Sequence, residues 1–209
     1  MLKPLKLLSA VIMALALWLP SDEAFAQTVL GRSVVDGRSF ELLSDQTWRY
    51  SDSDAAAGCT VFDLGLSFCD ADSPWQRTDF ESSEVAAQYR VDDRHYSQFV
   101  IEGLGALDGF TPEFMRRAVV DNAAAAAGGD ATAVAVLDVS DETVDSIPGE
   151  TIIYHTVIDG LNVVYFNTVI ILDAITYQLI SFSINRDITE RHIELHDDLI
   201  ARLRIDGAG

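Results

Sequence analysis

ETIIYHTVIDGLNVVYFNTVIILDAITYQLISFSIN, residues 150–185, is the stretch that decides the fold. It divides into three strand-like runs, 150–158, 161–172 and 177–185. Asp159-Gly160 separates the first two and supplies the positive φ angles that a two-residue hairpin demands. The middle run, LNVVYFNTVIILD, is apolar on both alternating faces around its centre, which predicts a central strand covered on both sides. Working outward, another strand is expected at about 132–139. After the last strand, Asp187 with Glu190 three residues on forms a capping-box pattern for a helix running to about Arg204, closed by Gly207.

Upstream, Thr111-Pro112-Glu113 reads as a helix start: a capping hydroxyl, a proline suited to the first position and an acid that complements the dipole. That helix continues through an alanine string to Gly128-Gly129, a stop signal. Before it lie short strand-like runs at 60–63, 65–69 and 75–78. Longer runs follow at 84–91 and 95–102, joined by Asp92-Asp93. The order is strands, hairpin, helix, four strands, helix. The economical architecture is α+β, an antiparallel sheet packed by two helices.

On that element order, the capped helix TPEFMRRAV and the terminal helix after YQLISFSIN, residues 59–206 resemble the PsbP-like fold family. The resemblance implies a sandwich of sheet and helices, and non-catalytic binding or assembly roles on diverse partners. No functional residue of that family matches a numbered position here.

The N-terminal part lies outside the resemblance. Lys3 and Lys6 precede an apolar run, Leu7 to Leu19, and Ala24-Phe25-Ala26 offers a small-x-small cleavage site, so residues 1–26 read as a signal peptide. The apolar run is shorter than the roughly 20 residues of a membrane span, and no stable membrane insertion is expected after cleavage. Residues 27–50 read as a small β-meander, with Asp36-Gly37 as its first turn and Trp48 and Tyr50 on one face of its last strand. Residues 51–58, SDSDAAAG, read as a linker to the main domain at 59–206.

The chain carries 33 Asp and Glu against 14 Lys and Arg, a formal net charge of −19, and its only lysines are Lys3 and Lys6. Nucleic acid is not an expected partner, since phosphate binding depends on clustered basic side chains. Cys59 and Cys69 both lie in the exported part, where an even cysteine count favours a disulfide. The arginine-only basic usage after the signal segment and the style of that segment point to a bacterial periplasm.

Three constellations could carry chemistry. His192 and His196, four residues apart, fall on one helix face and could chelate a metal. They also fall within an apolar stripe of Ile188, Leu195, Leu199 and Leu203, where neutral, hydrogen-bonded core histidines are the expectation. Asp70, Asp72, Thr78 and Glu81 match part of a calcium-loop pattern, but Trp75 stands where that loop needs glycine. The loop GLGALDG, 103–109, departs from the dinucleotide fingerprint and reads as a flexible connection. No G-x-S-x-G elbow occurs. The expectation is a periplasmic, non-catalytic binding or assembly module without a cofactor, meeting an unknown protein or small ligand on its sheet face or strand edge. Trp48 and Tyr50 are candidate partner contacts. The alternative is an exported metal-handling protein or hydrolase using His192 and His196.

Overall fold

The alternation in residues 150–185 becomes three long antiparallel strands in the computed structural model, which describes residues 28–35, 38–50, 58–80 and 82–206. The expected signal segment 1–26, the Asp36-Gly37 turn, linker residues 51–57, Glu81 and Gly207 lie outside those residues. The chain begins with β1 (Val29–Val35), β2 (Arg38–Leu43) and β3 (Trp48–Tyr50), which form a three-stranded antiparallel meander of their own. Short strands β4 (Thr60–Val61), β5 (Leu66–Phe68), β6 (Gln76–Arg77) and β7 (Ala87–Arg90) lead to β8 (His95–Glu102) and helix α1 (Pro112–Ala126). Then come β9 (Ala135–Val144), β10 (Ile147–Ile158), β11 (Leu161–Ile171), β12 (Thr176–Ser183), helix α2 (Glu190–Ala201) and β13 (Leu203–Ile205).

The main sheet has seven strands in the order β6-β7-β8-β12-β11-β10-β9, antiparallel throughout. Strand β11 lies inside it and is covered on both faces. Phe166 and Ile170 point to the side of α2, while Tyr165 and Val169 point to the side of α1. The hairpin turn at Asp159-Gly160 has φ of 51° and 80°, the left-handed pair that its sequence demands.

The larger core lies between the sheet and a second layer made of α2 and the small sheet β13-β5-β4. Leu195 and Leu199 of α2 meet Leu66, Phe68 and Leu203 of the small sheet and Tyr89, Phe99, Tyr177 and Leu179 of the large one. Each such side chain, fully buried, contributes roughly 1.5–3 kcal/mol relative to exposure. Phe68, Tyr89 and Phe99 meet as inclined rings, with Phe68 edge-on to both partners at 4.9 and 5.2 Å. Cys59 and Cys69 form a disulfide, S–S 2.01 Å, that ties the base of the β4–β5 hairpin. This hairpin carries Phe62, Leu66 and Phe68 into the core.

Three boundaries differ from the sequence reading. Strands β9 and β10 form one long hairpin through Asp145-Ser146, with φ of 49° and 71°. The reading ended the first strand at 139 and began the second at 150. Strand β9 is an edge with most of its side chains in solvent, so no buried face imposes a legible period on SDET. Helix α2 is capped by Thr189, not Asp187: the Thr189 side chain accepts a hydrogen bond from the His192 amide. It ends at Ala201 because Leu203 and Ile205 alternate into the core as β13, paired with β5. The 103–109 loop is not a loose connection. Ala106 and Leu107 amides donate to the Leu172 and Asp173 carbonyls, and a Cβ at Gly105 would meet the Leu172 carbonyl oxygen at 2.2 Å. Among the described residues, no helix is long and apolar enough to cross a membrane.

Candidate functional site

The alanine-rich helix α1 packs over β10 and β11 on its face of the sheet. Thr111 caps its start, accepting from the Phe114 amide at 3.1 Å, and Gly128 and Gly129 end it in the left-handed region. Met115, Val119 and Ala123 pack on Ile152, Tyr154 and Val169 of β10 and β11. Arg116 clamps Glu150 with two parallel bonds, Nε to Oε1 at 2.6 Å and Nη2 to Oε2. Beside the helix, above β12 and β8, lies a groove of about 770 Å³. That volume lies within the range of small-ligand sites.

The groove floor is built from side-chain amides. Gln88 Nε2 donates to Thr78 Oγ1, and Gln98 Nε2 donates to Gln88 Oε1 at 2.8 Å. This direction leaves Gln98 Oε1 outside the chain of bonds, on the one residue of the three that lines the groove. On the neighbouring strands, Asn167 Nδ2 donates to Gln178 Oε1 at 3.0 Å. Asn167 Oδ1 and Thr156 Oγ1 are buried without a partner, and both residues line the groove. A buried acceptor left unmade costs more than an average hydrogen bond gains, so these two atoms are a local cost to the fold.

An aromatic ladder borders the amides. Tyr154, Tyr165, Phe182 and Tyr96 are directly opposed across four strands, with successive centroids 4.8, 5.3 and 5.3 Å apart. Burial pushes the Tyr165 phenol up to about 12 and that of Tyr154 higher still, so both are neutral donors. The charged residues lining the groove are Glu84 and Glu102, both acidic. Burial raises the Glu102 carboxyl above its ordinary value.

His192 and His196 lie on the opposite face of the sheet. Both are buried, and Ser181 Oγ bridges them, 3.0 Å from His192 Nε2 and 2.9 Å from His196 Nδ1. His196 Nε2 bonds Thr168 Oγ1, which bonds Thr151 Oγ1 at 2.7 Å. Burial, reinforced by His95 beside His192 and by His192 beside His196, lowers the two imidazoles to about 4 and about 3. They are neutral near pH 7, and three of their four ring nitrogens are engaged with hydroxyls. Among the described residues, no group of three or more His, Cys, Asp or Glu gathers as a metal-ion site. Trp48 is more than half exposed on β3, and the side chain of Tyr50 lies outside the described residues. The structure therefore brings His192 and His196 together in the core, apart from the groove. Sequence reasoning missed the groove, although the Asn167-Thr168 pair had marked it. Two adjacent polar residues inside a doubly covered strand place one polar group on each face.

The arrangement of sheet and helices is similar to the solution structure of the cyanobacterial PsbP protein CyanoP from Synechocystis sp. PCC 6803. The TM-score is 0.50 at 13% identity, covering 74% of this chain and 96% of that one. The fold is PsbP-like. A protein from Bacteroides thetaiotaomicron aligns at TM-score 0.40 and 10% identity, over 69% of this chain and 46% of that one. A protein of unknown function from Pseudomonas aeruginosa aligns at 0.38 and 8%, over 77% and 89%. No protein-family model matches the sequence, and no curated protein matches it.

Proposed function

We propose that this protein is an exported, periplasmic, non-catalytic binding or assembly module whose working surface is the groove beside α1. The observation that carries this reading is the pair of buried, unpartnered acceptors, Asn167 Oδ1 and Thr156 Oγ1, in the wall of a ligand-sized groove. A fold that needed only a core would fill such a site with apolar side chains. The Cys59–Cys69 disulfide is compatible with export to an oxidising compartment. Binding, rather than catalysis, also agrees with the roles that a PsbP-like fold suggests.

The test is a ligand screen read by backbone amide NMR, with compounds spanning cationic, neutral and anionic classes. Binding is expected to move resonances of Gln98, Asn167, Gln178 and Asn122. Ala126→Trp, at an exposed position on the groove wall, is expected to abolish those shifts while leaving the spectrum folded. A screen in which no class of compound moves the groove resonances overturns the reading.

A further inference from the structure

We infer that the groove takes a small organic cation, one whose ammonium or guanidinium N–H groups are met by Glu102, Gln98, Asn167 and Thr156. The inference rests on the groove being the working site, and it goes further by fixing the charge and hydrogen-bonding sense of the ligand.

Three independent observations point the same way. The two unpartnered buried atoms on groove-lining residues are oxygens, Asn167 Oδ1 and Thr156 Oγ1, and the carboxamide oxygen can only accept. The amide chain Thr78-Gln88-Gln98 runs in the direction that leaves another acceptor, Gln98 Oε1, unused on a groove-lining residue. Among the described residues, the lining holds two carboxylates and no basic side chain. A ligand rich in N–H donors and positively charged matches all three, since charge-assisted donors are the stronger partners of carboxylates. An anionic ligand would meet Glu84 and Glu102 without a compensating cation in the wall. A neutral sugar or amide would leave the carboxylates uncompensated.

The layout also suits a ligand with a carbon chain between its polar ends. On β8, Glu102 and Gln98 lie four residues apart on one face, roughly 13 Å along the strand. Val100 sits between them, with Gln178 paired opposite it and Ile180 opposite Gln98, so the apolar part of the floor between the two polar stations is Val100 itself. Methylene groups of an alkylamine would lie over Val100, with nitrogen at each end.

The experiment is isothermal titration of the full exported protein with spermidine, agmatine, tetramethylammonium, glucose and glutamate. Salt is held at 150 mM to screen general attraction to the acidic surface. Spermidine or agmatine is expected to bind stoichiometrically. Tetramethylammonium, a cation without N–H donors, is expected to bind at least tenfold more weakly, and glucose and glutamate not at all. Glu102→Gln is expected to weaken amine binding at least tenfold, whereas Glu190→Gln, at the exposed start of α2, leaves it unchanged.

Thr156→Val supplies a readout that a structural role alone would not give. Removing an unsatisfied buried hydroxyl is expected to raise the melting temperature of the free protein while weakening amine binding severalfold. Equal affinity for tetramethylammonium, or amine binding indifferent to Glu102→Gln, overturns the inference. A neutral or anionic compound that occupies the groove while the amines do not also overturns it, and leaves the binding-module reading standing.

Discussion

Ser181 is a single hydroxyl on which two buried imidazoles depend. Ser181→Ala leaves His192 Nε2 and His196 Nδ1 without their shared partner, and should cost about 1–3 kcal/mol in urea unfolding. Ser97, directly opposite Ser181 on β8, is the control: its buried hydroxyl has no partner, so Ser97→Ala should leave stability unchanged or raise it. The same histidines set a pH response. Their folded values of about 4 and 3 lie below the ordinary 6.5, so between these limits the unfolded chain binds more protons. Their contribution is fully present above pH 6.5 and is lost as the pH falls toward 4, at up to about 1.4 kcal/mol per pH unit for each histidine. Urea midpoints at pH 7.5, 6, 5 and 4.5 check this. A His192→Gln/His196→Gln variant should show a flatter slope, and an unchanged slope would assign the response to other groups. His95, held by Asp92 at 2.9 Å, is the titratable neighbour on the facing strand.

At the scale of elements, what was legible followed the buried faces. Strand β11 was read correctly because both its faces are packed, and α1 because Thr111, Pro112 and the glycine pair bracket it. Strand β13 escaped because three residues are too few to show a period, and its identity comes from pairing with β5 across more than 130 positions of sequence. That pairing sits beside the disulfide, where the Cys69 amide donates to the Arg202 carbonyl at 3.0 Å. Replacing both Cys59 and Cys69 with serine should lower stability by roughly 2–3 kcal/mol, with amide exchange rising first in β5 and β13. Uniform acceleration across the molecule would instead show that the hairpin is not a local weak point. At one edge of the main sheet, β9 exposes Val136, Leu137 and Val139, with Asp138 and Asp141 beside them as charges that deter edge-to-edge pairing. Asp138→Val/Asp141→Val should aggregate on agitation, visible as light scattering, at concentrations where the parent stays clear.

For the whole molecule, a net charge of −19 makes self-repulsion a standing cost of compactness. Raising NaCl from 20 to 500 mM should therefore raise the melting temperature. A fall would mean that the ion pairs, such as Arg116 with Glu150 and Arg202 with Asp198, outweigh the repulsion. The excess of acid was legible from composition, but the placement of Glu84 and Glu102 at the groove was not. Glu84, Glu102, Gln98, Asn167 and Thr156 come from four segments that only the sheet order assembles.

The wall opposite those residues has a consequence of a different kind. It is made of Ala123, Ala125 and Ala126, residues that shape the site by what they lack. At the two exposed positions, longer unbranched side chains such as Leu, Met or Gln are nearly as good helix formers as alanine. Changes there would narrow or lengthen the cavity and leave the core untouched. On the proposed binding role, preference among ligands can thus drift, or be directed, through one helix face while the folding problem stays solved. Descendants of this chain could diverge in specificity long before they diverge in stability.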